Sequence, residues 1–351
     1  MGQEQTWEIA YLRQSHESFP TLSLGFVLVK NKGTTMVFSI LIPAYKSRFL
    51  KECIDSILAQ TVRDFEIVIV DDASPEDLYA IVSGYDDKRI RYYRNDKGFG
   101  AYHLVDNWNK CLQYAMGDYV ICMGDDDMLA PTCLENYISL IGKYPGLNVY
   151  HTRTLIIDEN SEVWQIQEQR PEYESGYSLW WHRWNGRGRQ YIGDFLFHRA
   201  SLLSIGGFYK LPLAWASDDI TAVRAALDKG IANTMSPGFL YRENRMTISN
   251  AASGRIKAEA TCLEKQWYEE LLSKSFPQDE TDRRYVSFMR RDINAHFQLR
   301  FTLCCQDDVN RNPFRALFWY KRKTRYSLST RRVCGIFVRA CVNYLFGHPE
   351  R

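Results

Sequence analysis

A chain of 351 residues, 45% of them hydrophobic, can bury one large α/β domain or a domain with an appended piece. Its formal net charge of +2 gives no electrostatic case for a nucleic-acid partner, and no apolar run reaches the length of a membrane-spanning helix. Nine scattered cysteines without a C-x-x-C pair exclude a secreted disulfide framework and point to free thiols in a reducing cytosol.

Residues 1–35 do not share the pattern that follows and read as an upstream extension. Glu4 and Glu8, with no basic segment leading into an apolar stretch, argue against a signal peptide. From Val37 onward strands and helices alternate. Residues 38–42 form a short apolar strand stopped by Pro43. Leu50, Ile54, Ile57 and Leu58 recur at helical spacing, which predicts an amphipathic helix over 48–60. Residues 65–70 are a second strand, rich in β-branched side chains and ending in Asp71-Asp72. Ser74-Pro75-Glu76-Asp77 then predicts a helix start, with Ser at the N-cap, Pro at N1 and an acid at N3. A third strand covers 89–93, a glycine loop 98–100 and a helix 102–116. The fourth strand, 119–123, runs straight into Asp125-Asp126-Asp127, and Pro131 opens a helix to about Tyr144.

The alternation divides the body at about residue 145. Residues 36–145 are a first half. Residues 146–254 mix strands, aromatic loops and one helix around Asp219 to Lys229, and complete the same domain. Residues 255–351 are helical and basic, with fifteen Lys/Arg against four Asp/Glu from Arg283 onward. Alternating strands and helices predict an α/β fold with a mostly parallel sheet flanked by helices. Ligands of such sheets bind beyond the carboxyl ends of the strands. Three strand ends should therefore meet in one crevice: Pro43-Ala44-Tyr45, Asp71-Asp72 and the acidic triplet.

Three consecutive carboxylates repel one another, and a hard divalent cation with oxygen ligands relieves the repulsion. Asp125 and Asp127 form an Asp-x-Asp pair able to reach a common point; the alternative is a solvated acidic turn before the next helix. At Asp71-Asp72, a carboxylate can accept hydrogen bonds from a base or a ribose, or serve the following helix N-terminus. In Trp215-Ala216-Ser217-Asp218-Asp219 one carboxylate is a candidate general base, and N-capping by Ser217 or Asp218 is equally open. Gly98-Phe99-Gly100 lacks the third glycine of a dinucleotide fingerprint, with His103 in its place, and reads as a flexible loop beside the site. Tyr241-Arg242-Glu243-Asn244-Arg245 offers cations to phosphate oxygens, or plain surface charge. Residues 331–346 are basic and apolar together, suited to an anionic membrane surface or to packing on the domain.

Taken in order, Ser39-Ile40-Leu41-Ile42-Pro43-Ala44-Tyr45, Ser56-Ile57-Leu58-Ala59-Gln60-Thr61 and Glu66-Ile67-Val68-Ile69-Val70-Asp71-Asp72-Ala73-Ser74 resemble the opening of family 2 glycosyltransferases of the GT-A fold. Asn95, Gly98, Asn107, Gly117-Asp118-Tyr119, the triplet and Pro131 continue the likeness to about residue 140. Gly206-Gly207-Phe208, Ser217-Asp218-Asp219 and Tyr241-Arg242 resemble the acceptor-side landmarks. The resemblance implies an inverting sugar transfer from a nucleotide-diphosphate donor, usually a UDP-sugar, to an acceptor hydroxyl. It implies nucleotide contacts from Pro43, Ala44, Tyr45, Asp72, Asp126 and Arg242. It implies Mn²⁺ or Mg²⁺ on Asp127, with Asp125 as the second ligand in place of an acid that Gly124 does not supply. The base would be Asp219, the second member of the acid pair, with Asp218 as the alternative. A saccharide or lipid-linked saccharide acceptor, a role in cell-surface polysaccharide or glycolipid assembly, and a cytoplasmic location with peripheral membrane contact complete the expectation. Two other readings remain open at this level: a metal-dependent nucleotidyltransferase, and a non-catalytic carbohydrate-binding protein on the same fold.

Overall fold

The computed structural model describes residues 38–244 and 252–346. The proposed extension 1–35 and Arg245 lie outside the described residues. The first strand, β1 (Phe38–Ala44), pairs in parallel with β2 (Phe65–Asp71) on one side and β4 (Tyr119–Cys122) on the other; β3 (Ile90–Arg94) extends the row beyond β2. Every residue of β2 is buried, as a β-branched strand covered on both faces requires. Pro43 does not stop β1. The N–H of Asp72 reaches the carbonyl of Ala44, so Ala44 faces β2 and Pro43 faces the other edge, where pairing with β4 has already ended at Leu41 and Cys122. The missing donor of Pro43 therefore breaks no ladder bond.

Helices α1 (Leu50–Leu58), α2 (Leu78–Val82), α3 (Leu104–Tyr114) and α4 (Cys133–Lys143) connect these strands and the short β5 (Met128–Leu129). α2 begins later than Ser74 predicts. Ser74 Oγ is used on the carbonyl of Tyr45 and the N–H of Glu76, and Asp77 caps α2 through the N–H of Ala80.

The second half adds β6 (Val149–Ile157), β7 (Val163–Ile166), β8 (Tyr173–Glu174), α5 (Gly176–Trp184), β9 (Phe195–His198), α6 (Arg199–Ser204), α7 (Ser217–Ala226) and β10 (Ile231–Arg242). The ten-stranded sheet runs β3-β2-β1-β4-β9-β6-β10-β5, with β7 on β6 and β8 on β10. The strand direction reverses at β9, which lies antiparallel between β4 and β6. Its first four strands are parallel, as the βα alternation implies.

Among the described residues four more α-helices follow: α8 (Gly254–Lys274), α9 (Glu280–Arg311), α10 (Ala316–Arg322) and α11 (Thr330–Phe346). They join the main core rather than forming a separate one: Tyr268, Met289, Phe297 and Trp319 share a hydrophobic cluster with Trp180, Phe195 and Val223. No described helix is long and apolar enough to cross a membrane. All nine cysteines are unpaired.

Candidate active site

The three strand ends meet. Asp125 Oδ2 accepts the main-chain N–H groups of Tyr45 at 2.6 Å and Lys46 at 2.7 Å, so the end of β4 fixes the turn after β1. Pro43 and Ala44 lie in the last turn of β1, and the Tyr45 ring is about half exposed beyond it. The Asp125 carboxyl is pushed up to about 6, first by burial and then by the Asp126 charge, with the two N–H groups acting against the rise.

Asp72 occupies the next strand end. Its Oδ1 accepts from Asn95 Nδ2 at 3.0 Å and the N–H of Phe99 at 2.8 Å, and its Oδ2 accepts the N–H of Gly100 at 3.0 Å. The Gly98–Gly100 loop is therefore folded onto Asp72. Gly98 must be glycine, because a Cβ there would stand 2.5 Å from the Asp72 carbonyl oxygen. Asp71 points elsewhere: Ser74 N–H, Tyr92 and Arg94 take its oxygens, which makes it a structural anchor.

Within the triplet the three carboxylates differ. Asp127 Oδ1 accepts the N–H of Arg242 at 3.0 Å and Oδ2 the N–H of Gly124 at 3.2 Å. Asp126 Oδ2 accepts from Asn244 at 2.8 Å. A Cβ on Gly124 would lie 2.8 Å from Asp126 Oδ1 and 2.9 Å from Asp127 Oδ2, so two carboxylate oxygens converge on one point above the glycine. An acid at position 124 would collide with them. Burial, Asp126 and Asp125 together push the Asp127 carboxyl well above its usual value. A cluster so charged and so buried suits a cation.

No group of three or more His, Cys, Asp or Glu among the described residues could hold a metal by itself. That donor set still fits Mg²⁺ or Mn²⁺ held by one or two carboxylates and completed by phosphate oxygens and water. The convergence favours Asp126 and Asp127 as the facing pair, with Asp125 committed to the β1 turn.

Arg242 lies behind this group and is fully buried. Nε donates to the Asp126 carbonyl at 2.8 Å, Nη1 to the Asp158 carbonyl and Ser161 Oγ, and Nη2 to Glu52 Oε2 at 2.9 Å and Met128 Sδ. Those contacts use all five guanidinium N–H groups. The guanidinium also stacks over Phe49, 4.1 Å from the ring centroid. Nothing in it is left over for a phosphate oxygen; it braces the triplet from within the fold.

The acid pair sits at the start of α7, after a strained stretch in which Leu213, Ala214 and Ala216 all have positive φ. The N-cap is Ala216 and carries no side-chain cap, so neither Ser217 nor Asp218 caps the helix. Ser217 Oγ accepts the N–H of Leu211 instead. Asp219 is buried, and its Oδ1 accepts from Arg183 Nε at 2.6 Å and Gln190 Nε2 at 2.7 Å. Asp218 is half-buried, and burial and the neighbouring Asp219 push its carboxyl well above the usual range. The two acids thus differ in their surroundings: Asp219 Oδ1 is held by a cation and an amide, while the Asp218 carboxyl is the one raised by burial and by its neighbour. Arg183 and Gln190 come from α5 and the turn after it, with no motif to mark them in the sequence. Asn95, by contrast, stands in the run of family-like positions.

Residues 39–206 match the model of Glycosyl transferase family 2. An uncharacterized glycosyltransferase of Rickettsia typhi is 30% identical over 122 residues, 34% of this chain and 37% of that protein. The putative glycosyltransferase EpsE of Bacillus subtilis is 32% identical over 115 residues, 32% of this chain and 40% of that protein. The match thus spans well under half the length of these relatives. Among solved structures, S. aureus TarS 1-349 in complex with UDP-GlcNAc superposes with a TM-score of 0.61 at 17% identity, over 90% of this chain and 93% of that one. The mannosyltransferase PcManGT from Pyrobaculum calidifontis, in complex with GDP-Man and Mn2+, gives 0.50 at 15% identity, over 90% and 88%. At these identities the likeness is one of fold, and the fold is GT-A.

Proposed function

We propose that this chain, which belongs to glycosyl transferase family 2 through residues 39–206, moves a sugar from a nucleoside-diphosphate donor to an acceptor hydroxyl with inversion, and that the nucleotide is UDP. One observation carries the reading: the Asp72 N–H on the Ala44 carbonyl and the Asp125 carboxylate on the Tyr45 and Lys46 N–H groups tie the ends of β1, β2 and β4 together, and the triplet oxygens converge beside them. Pro43, Ala44, Tyr45 and Asp72 then line the nucleotide side. Asp127 and Asp126 hold the cation, with Asp125 keeping the Tyr45-Lys46 turn in place. A bound Mg²⁺ or Mn²⁺ supplies Lewis acidity to the departing diphosphate oxygens.

Asp218 removes the proton of the acceptor hydroxyl. The freed oxygen forms the new bond to the anomeric carbon as the bond to the diphosphate breaks and its electron pair leaves with the phosphate oxygen. Attack from the face opposite the leaving group inverts the configuration. Asp219, paired with Arg183, keeps a negative charge beside Asp218 and so supports its basicity.

The acceptor is a saccharide or lipid-linked saccharide of cell-surface polymer or glycolipid assembly in this reading, and the work is done on the cytoplasmic face of a membrane. Its support is α11: Val333, Ile336 and Ala340 are buried, while Val338 and Val342 are exposed on the opposite side among Arg331, Arg332 and Arg339. A panel of UDP-, GDP- and dTDP-sugars, scored for thermal stabilisation with and without Mn²⁺, tests the donor assignment. Mn²⁺-dependent stabilisation by UDP-sugars supports it. Release of pyrophosphate from a nucleoside triphosphate and a sugar 1-phosphate would establish a nucleotidyltransferase instead.

A further inference from the structure

The rings of Tyr191 and Tyr241 stack 3.8 Å apart, 14° from parallel, and both residues are only partly buried. Each is tied to one of the two carboxylate centres. Tyr241 precedes Arg242, whose N–H holds Asp127, and its hydroxyl is kept protonated by burial and by the nearby Asp127 charge. Tyr191 follows Gln190, whose amide holds Asp219. The Tyr191 turn is itself immobilised. Asp194 Oδ2 accepts the Tyr191 N–H at 3.0 Å, and Gly193 lies so close to Phe239 that a Cβ would approach its ring to 2.3 Å. A partly exposed aromatic pair is thus held in place by segments that also hold one carboxylate of the triplet and one of the acid pair.

We propose that the Tyr191–Tyr241 stack is the wall of the sugar subsite, presenting ring faces and edges to the C–H face of the transferred hexose. The proposal rests on the glycosyl-transfer reading. Displacement at the anomeric carbon puts the donor hexose between the leaving diphosphate and the base, and this pair is linked through its chain neighbours to both carboxylate centres. Aromatic faces suit the apolar face of a pyranose, and a tyrosine hydroxyl can donate to a ring or hydroxyl oxygen.

The test compares affinities for UDP and for the tightest binder among UDP-glucose, UDP-galactose and UDP-N-acetylglucosamine, all with Mn²⁺. Tyr191→Leu is expected to weaken UDP-hexose binding about tenfold and to leave UDP binding within about twofold. Tyr191→Phe, which keeps the stack, is expected to retain both affinities and controls for folding. Equal losses for UDP and UDP-hexose, or unchanged UDP-hexose affinity in Tyr191→Leu, would overturn the subsite. A wild-type chain that binds neither probe would overturn the UDP-sugar reading on which the subsite rests, and the subsite with it.

Discussion

Arg242 donates its main-chain N–H to Asp127 Oδ1 at 3.0 Å, joining the end of β10 to the acidic turn after β4 across 115 positions of sequence. The same residue sends its guanidinium to the Asp126 carbonyl and to Glu52. The triplet is therefore shaped by a residue from the second half of the chain. An acidic turn needed only for solubility would have no use for a buried arginine beneath it.

Replacing that arginine should cost both stability and the site. Arg242→Met leaves the Asp126 and Asp158 carbonyls without partners and is expected to lower unfolding free energy by about 3 kcal/mol, read by urea denaturation. Arg242→Lys cannot reproduce the five-donor fork and should recover only part of that loss. Unchanged denaturation midpoints in both variants would contradict the brace.

Stability should also depend on pH through the triplet. The folded Asp125 carboxyl titrates near 6, above its usual value near 3.8, and Asp127 is raised as well. Protons therefore bind the folded chain more tightly than the unfolded one. The stabilisation this gives is full below about pH 4 and is lost as pH rises through about 6. Mn²⁺ binding needs the ionised carboxylates, so the thermal shift on adding Mn²⁺ with UDP should be large at pH 8 and small at pH 5. An equal shift at both values would count against carboxylate ligation.

The two acids of α7 should separate kinetically. Asp218→Asn is expected to reduce turnover by about 10²- to 10⁴-fold with donor affinity nearly intact. Asp219→Asn keeps the shape but removes the charge paired with Arg183, so it should shift the pH profile for turnover toward lower pH and cost less at its optimum. If Asp219→Asn abolishes turnover while Asp218→Asn does not, the roles are reversed.

Much of this architecture was legible in the residues. Apolar runs at 38–42, 65–70 and 119–123 mark strands, and the acidic ends of the last two mark the crevice, because a buried strand and its polar terminus are both local signals. The roles inside the crevice were less legible. A side chain's role depends on partners far along the chain: Asp125 on Tyr45, Asp219 on Arg183 and Gln190, Arg242 on Glu52. Read locally, Arg242 is a cation beside an acidic site and Asp219 the second acid of a pair. Only the fold shows that the first has no free donor and the second is already paired. Ser74 misled for the same reason, since its hydroxyl serves the Tyr45 carbonyl in place of a helix start.

The basic helices lead to a surface prediction. The full chain should bind vesicles containing anionic phosphatidylglycerol, less so at high salt, and not vesicles of phosphatidylcholine alone. Val338→Ser with Arg331→Glu should weaken that binding without changing donor affinity. Equal sedimentation with both lipid compositions would contradict the surface assignment.

The role proposed for the triplet is to bind a cation together with the donor diphosphate. Its most direct test is calorimetric titration of UDP into the wild type and Asp127→Ala, each in Mn²⁺ and in EDTA. Binding by the wild type in Mn²⁺, weakened at least tenfold by EDTA, and weak binding by Asp127→Ala in both are expected. UDP affinity unaffected by EDTA and by Asp127→Ala would contradict it.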